Sequence, residues 1–323
     1  MSSAYRKITK IAALILLLAA PLVIWTQRWN IYDFWRLRDY EPPAAIAQLA
    51  TDTTLNDRAR RLFYVYHPEL KDKSTFSDSC NSSERTIVLG CYVSGAGIYL
   101  FDVTDQRLNG IVQVTAAHET LHAAYDRLSG SEKQRINKLV DEAFAKVSSQ
   151  RIRDTVEDYR KNGADIANEL HSIMGTEVRE LPPELEDYYK QFFTSRLKVV
   201  EYSEKYEKAF TERKQKIEAY DAQLDSIKKQ IENLEAELND RENDIQAERS
   251  RLDGLLNVKD FERYNAGVNG FNAQVNAYNG VVGRIRALID QHNRLVAERN
   301  AIAEEEGELV KAIDSRPATI PPQ

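Results

Sequence analysis

A pair of long heptad patterns in the C-terminal third constrains this chain more than any other feature. Apolar side chains recur at steps of three, four or seven residues over 210–252, and again over 261–296. Helices with this repeat bury their apolar seam against another helix, as in a coiled coil. Because the break between the two patterns is short, we predict an antiparallel helical hairpin over residues 201–315 that bends near 253–260.

The second heptad segment is unusual because polar and small residues interrupt it. Such residues weaken an isolated helix. They indicate either close approach to another surface, with a protein partner on the coiled coil as one hypothesis, or a stalk with a polar outer face. The residues concerned are Asn265, Gly267, Gly270, Asn272, Asn276, Asn279, Gly280 and Gly283. We predict that the proline-containing residues 316–323 form a disordered tail.

A five-residue pattern upstream, His118-Glu119-Thr120-Leu121-His122, is typical of metal sites. Helical positions i and i+4 lie on one face, so His118 and His122 can offer two ring nitrogens to one ion. Zn²⁺ favours such ligands. Glu119 lies about 100° round the helix and can contact a water at that ion. The apolar residues that predict a buried seam on this helix are Val114, Ala117, Leu121, Tyr125 and Leu128.

A second segment, Asn168-Glu169 followed by Ser172 and Gly175-Thr176, lies downstream. Together the two segments resemble the gluzincin zinc metallopeptidases, in which H-E-x-x-H supplies two histidines and a later helix supplies a glutamate. The thermolysin-type helix reads N-E-x-x-S-D before a Gly-Thr pair. Here Ile173 replaces the aspartate, the Gly-Thr pair comes one residue earlier, and the spacing from His122 to Glu169 is longer. The resemblance covers about residues 85–200.

This resemblance implies that His118, His122 and Glu169 bind Zn²⁺, the one cofactor expected, while Glu119 is the catalytic base. The substrate would be a peptide or protein that pairs with a strand beside the cleft. Ile98–Val103 is our first choice for that strand, and Thr86–Val93 is the alternative. His171 is a competing ligand, but it cannot share a helical face with Glu169. We therefore expect His171 beside the ligands or on the surface, and do not assign a role to Glu177.

The N-terminus carries an apolar stretch over residues 11–25, preceded by three cationic side chains and bordered by Trp25 and Trp29. It predicts a transmembrane anchor over 11–27, with a cytoplasmic segment over 1–10 and a linker over 28–43. The chain would then be a single-pass cell-membrane protein with its bulk extracytoplasmic. A cleaved signal peptide is the alternative.

Two cysteines, Cys80 and Cys91, are the only ones in the chain. In an oxidising compartment they would form one disulfide, and the alternative is two unrelated thiols. Two β-branched and aromatic runs around Ser94–Gly97 predict a β-hairpin. We therefore expect an α+β, mainly helical fold. In it, a small gluzincin-like zinc peptidase domain with a short β-sheet, over 44–200, precedes the long antiparallel coiled-coil hairpin.

A proline-initiated helix after Leu181 carries an aromatic stripe that is expected to be core, although a tyrosine or Arg196 there could stabilise an oxyanion. The net charge of −6 and the absence of a basic patch give no reason to expect nucleic acid binding. The sequence predicts a membrane-anchored zinc endopeptidase. The alternatives are a non-catalytic envelope protein whose coiled coil binds a partner, and an envelope-remodelling enzyme with the hairpin as regulator.

Overall fold

The computed structural model describes residues 21, 23–80 and 87–316. The described chain is mostly helical and contains one three-stranded sheet, which confirms the predicted mainly helical class. It divides into two compact units. The described residues up to Glu207, together with those from Lys311 onward, form the first unit, and Lys208–Val310 form the second.

Helices dominate the first unit, and its short strands lie between them. In chain order the elements before the long helices are α1 (Arg28–Leu37), α2 (Ala44–Asp52), α3 (Asp57–Val65), β1 (Glu69–Lys71), α4 (Lys73–Ser79), β2 (Gly90–Val93), β3 (Gly97–Phe101), a 3₁₀ turn (Gln106–Leu108), α5 (Ile111–Asp126), α6 (Gly130–Phe144), α7 (Gln150–Lys161), α8 (Ile166–Thr176) and α9 (Pro183–Tyr189). The long helices are α10 (Arg196–Asn257) and α11 (Phe261–Ile313).

The sheet has the order β1-β3-β2, so β3 is its central strand. Strand β1 pairs with β3 in parallel, and β2 pairs with it antiparallel, with Gly90 opposite Leu100. Because both sides of β3 are already paired, its backbone cannot accept a further strand. The alternative sequence segment, Thr86–Val93, contains β2, one of the two outer strands, which we call the edge strand. Our first choice, Ile98–Val103, contains most of the central strand β3.

The core of the first unit is built around α5, which packs against α8. Helix α5 begins directly after Gly110, whose φ of 112° places it in the left-handed region that glycine tolerates. Gly175 in α8 allows close packing, because a Cβ atom there would collide with Leu121 of α5 and would lie 2.7 Å from a ring carbon of Tyr189. This contact brings the two motif-bearing helices together.

The described part of the chain contains no helix that is both long enough and apolar enough to cross a bilayer, which contradicts the predicted single-pass localisation. Most of the predicted anchor, 11–20 and 22, lies outside the described residues. The helix that follows, α1, falls in the predicted linker and carries charged side chains that bind other parts of the first unit. Its Asp33 is only 7% exposed and pairs with Arg127 at 2.8 Å, while Arg36 donates to the carbonyl of Val65.

The second unit consists of the remaining lengths of α10 and α11, which are compatible with the predicted helical hairpin. The chain reverses at Val258–Asp260, where Lys259 has a φ of 56°. Cross-helix contacts join Tyr220 to Glu298 at 2.9 Å and Arg284 to Glu237 at 3.2 Å. At Gly267 a Cβ would lie 2.7 Å from the Leu252 side chain, whereas at Gly270, Gly280 and Gly283 nothing within the described residues approaches within 4 Å.

Candidate metal centre

Helix α5 places His118 and His122 one turn apart on the face that borders a cleft. One ligand atom from each of His118, Glu119 and His122 lies within 4.8 Å of the others. The two imidazoles are 12% and 11% exposed, so both are largely removed from bulk water. The local helix alone therefore creates this part of the site, as the i and i+4 spacing predicts.

Helix α8 adds the Glu169 carboxylate to the two histidines. Its Oε2 atom lies 3.5 Å from Nε2 of His118 and 3.7 Å from Nε2 of His122. Zinc ligands at about 2.0–2.2 Å in tetrahedral geometry lie about 3.4 Å from each other, close to both separations. The same Oε2 is buried and lacks a hydrogen-bond partner within the described residues, which is costly for a carboxylate. The three residues therefore fit a bound Zn²⁺.

Asn168 orients the second histidine. Its Oδ1 lies 2.9 Å from Nδ1 of His122. An amide oxygen only accepts, so Nδ1 carries the proton and donates it, leaving the Nε2 lone pair directed at Glu169. A partner of this kind sets the tautomer of a metal ligand. The sequence pattern does not by itself assign a role to Asn168, although its place beside Glu169 in the motif is a usable signal.

Glu119 is buried between α5 and the edge strand β2. The backbone N–H of Tyr92 donates to its carboxylate, and a Cβ on Gly90 would lie 3.0 Å from both its Cγ and its Oε1. Burial raises the pKa of Glu119 to about 7, with Glu169 adding to the rise and His118 opposing it. The edge strand therefore holds the carboxylate in place while its surroundings favour a proton near neutral pH.

The two histidines have opposite shifts. Burial lowers the pKa of His118, but the Glu169 carboxylate and the charge of Glu119 outweigh it and raise that pKa to about 9. Burial, together with the charge of His118, lowers the pKa of His122 to about 4. Burial acts to raise the pKa of Glu169, yet its contacts with the two histidines lower it overall. Because metal ligands must be deprotonated, metal binding here would displace a proton from His118.

The cleft beside these residues has a volume of about 330 Å³. The edge strand forms one wall, and Tyr159 of α7 contributes a phenol to the lining. No pattern in the sequence singles out Tyr159. The wall of the cleft also includes Cys80 and Cys91, which form a disulfide with a Cα–Cα distance of 5.9 Å. This bond ties the residue that ends α4 to the strand beside Glu119.

His171 does not lie on the surface, and it does not face the three candidate ligands. It is fully buried, and its Nε2 lies 2.8 Å from the hydroxyl of Tyr188. Burial, with smaller contributions from His122 and His118, lowers its pKa to about 3, so the ring is neutral. His171 is therefore a core residue on the opposite side of α8 from Glu169.

The other candidates from the sequence have structural partners. Glu177 forms an ion pair with Arg151 at 2.8 Å. Arg196 is buried and donates to the carbonyl oxygens of Val178 at 2.6 Å and Arg179 at 2.8 Å, beyond the C-terminus of α8. These contacts occupy Arg196 in holding the end of the Glu169 helix.

No protein-family model, curated protein or solved structure matches this chain. The residues of α5, α8 and the edge strand, and the geometry between them, are therefore what indicates a function.

Proposed function

We propose that this protein is a zinc-dependent peptidase, with His118, His122 and Glu169 as the zinc ligands and Glu119 as the general base. The observation that carries the proposal is the buried Oε2 of Glu169, which faces Nε2 of both histidines and has no hydrogen-bond partner within the described residues. Two ring nitrogens and one carboxylate oxygen that converge in this way form a suitable site for a divalent cation.

When bound at such a site, zinc polarises a carbonyl group and lowers the pKa of water. The chain itself supplies the proton transfers. The Glu119 carboxylate accepts a proton from the attacking water and later donates it to the leaving amine. Burial in the cleft favours the protonated form of Glu119, which supports retention of the proton until the leaving amine takes it.

The edge strand supports a peptide substrate. Leu89 accepts a hydrogen bond from Phe101 of β3, so the backbone groups of Leu89 and Cys91 face the sheet. By alternation, the groups of Gly90 and Tyr92 face away from β3, and the Tyr92 N–H donates to Glu119. An extended peptide that pairs with this side of the strand would lie beside the general base.

The decisive experiment compares Glu119→Gln with Glu169→Gln. The first change removes a proton acceptor but no proposed ligand, so zinc content should stay near one per chain while peptidase activity falls about 10²- to 10⁴-fold. The second change weakens a ligand, so zinc content and activity should fall together. Metal analysis and a mixed peptide library measure the two quantities.

Glu262→Gln is the matched control, because Glu262 is an exposed glutamate in the first turn of α11. It should leave both quantities unchanged. If the wild-type chain binds zinc but cleaves no peptide in the library, the catalytic proposal is wrong and a structural role for the metal site is favoured. If Glu119→Gln loses zinc while Glu169→Gln retains it, the assignment of ligand and base is reversed.

A further inference from the structure

The segment Asp314–Arg316, which follows α11, contacts Val88, a residue of the cleft lining that lies two positions before the edge strand β2. Ser315 is only 4% exposed, and its hydroxyl donates to the carbonyl oxygen of Val88 at 2.5 Å. Asp314 also lies 3.9 Å from Lys73 of α4. Both contacts lie within the first unit. We call Asp314–Arg316 the strap.

The strap contacts the same side of the edge strand that faces the general base. Because Leu89 accepts from Phe101 of β3, the carbonyl of Val88 points away from the sheet, as those of Gly90 and Tyr92 do. Val88 would be the next pairing position for an extended peptide after Gly90. The Ser315 side chain already stands at this carbonyl, on the side that a pairing peptide would have to take.

We propose that the strap closes one end of the peptide-binding edge. The protein would then act as a carboxypeptidase that releases one or two residues from the C-termini of peptides. This inference rests on the proposed peptidase function and adds the class of substrate. Ser315 is the specificity-determining residue, because its hydrogen bond removes the pairing position that a longer C-terminal extension needs.

The length limit follows from strand geometry. Gly90 lies against Glu119, so the scissile bond lies opposite Gly90. Val88 precedes Gly90 by two residues, so it lies at most about 7 Å further along the chain. That distance accommodates about two substrate residues beyond the scissile bond. A third residue would meet the strap.

The orientation of the peptide follows from pairing and from charge. Antiparallel pairs are two to three times commoner than parallel ones, and an antiparallel peptide would direct its C-terminus toward Val88. Arg316 bonds to Asp314 at 2.7 Å, so Asp314 is shared between Arg316 and Lys73. Lys73 and Arg316 therefore place two cations at this end of the edge, and either can pair with the terminal carboxylate of a peptide.

The test uses the whole zinc-loaded chain and two sets of synthetic peptides that share one cleavage site. One set carries one to six residues on the C-terminal side of the bond, and the other varies the N-terminal side. Mass spectrometry identifies the products, and kcat/KM is measured for each peptide. The double variant Asp314→Ala/Ser315→Ala removes both strap contacts, and Ser315→Ala removes the hydrogen bond alone.

For the wild type we expect kcat/KM to fall at least about tenfold between two and four C-terminal residues, and to be insensitive to N-terminal length. Ser315→Ala should raise the value for the longer peptides about fivefold, roughly the ratio that one net hydrogen bond supplies. The double variant should raise it at least as much. Ser250→Ala, which removes a serine hydroxyl bonded to the Gln246 carbonyl in α10, should leave the wild-type profile unchanged.

Three results would overturn the inference without affecting the proposed function. Equal cleavage at every C-terminal length would show that the strap sets no boundary, and the proposed function would survive. A limit on N-terminal length would show the reverse peptide orientation. An unchanged profile in both strap variants would assign the limit to another part of the cleft. If the zinc-loaded wild type cleaves no peptide, the proposed function fails and the inference fails with it.

Discussion

Replacing Gly90 by alanine tests whether the edge strand holds Glu119 in its working position. The φ of Gly90 is not in the left-handed region, so the space around the residue decides the effect. A Cβ there would lie 2.5 Å from Cγ2 of Thr115 and 3.0 Å from Oε1 of Glu119. The first distance is about 1 Å shorter than an ordinary contact between such atoms.

Thr115 cannot simply rotate its methyl group away, because its hydroxyl donates to the carbonyl of Ile111 at 2.8 Å. The strand must therefore move from α5, or the Glu119 carboxylate must shift, by about 1 Å. A displacement of that size at a catalytic group costs about 10²-fold in rate, and overpacking costs about 1–3 kcal/mol of stability. Neither proposed ligand, His118 or His122, is among the three nearest neighbours of the added carbon.

The assay is kcat for a cleaved peptide, with zinc content and thermal unfolding measured on the same samples. We expect Gly90→Ala to retain zinc and lose about 10² in kcat. Thr115→Ser in the same chain removes the colliding methyl group but keeps the hydroxyl, so Gly90→Ala/Thr115→Ser should recover part of the loss. Gly270→Ala is the control, because open space surrounds Gly270 in α11. Wild-type kcat in the Gly90→Ala variant would refute the reasoning.

Two further predictions concern the walls of the site. Asn168→Ala removes the partner of His122 Nδ1 and should weaken zinc binding about 10- to 100-fold with the fold intact, as measured by competition with a chelator; unchanged affinity would show that Asn168 does not orient the ring. Cys80→Ser/Cys91→Ser opens a disulfide between residues 11 apart and should cost about 3 kcal/mol of unfolding free energy in denaturant titrations. Reducing agent should destabilise the wild type but not this variant, and equal effects on both would contradict the role of the bond.

Local patterns in the sequence were sufficient for features that depend on one element. The i and i+4 spacing of His118 and His122 places both rings on one face of any helix, whatever surrounds it. The heptads likewise predict two long helices that are compatible with a hairpin, since the repeat describes a single face of each helix. The resemblance in the second segment implies that Glu169 is a metal ligand. Helix α8 places the carboxylate of Glu169 beside both imidazoles.

Local patterns were weaker where two registers satisfy the same rule. Ser131 with Gln134 and Ser129 with Glu132 both have the spacing of a capping box, and the helix begins at the earlier pair, where Ser129 and Glu132 exchange the capping hydrogen bonds. Only the backbone conformation of Ser129, which is extended, distinguishes them.

The tertiary structure decided everything that depends on which elements are neighbours. Hydrophobic runs indicated strands, but the sheet order alone shows that Gly90–Val93 is the edge and that β3 is enclosed. The same holds for the burial of His171 against Tyr188 and for the contact between Ser315 and Val88, which are separated by more than two-thirds of the chain. Residue periodicity records the environment of one helix or strand, whereas strand order and long-range contacts arise from packing among many elements.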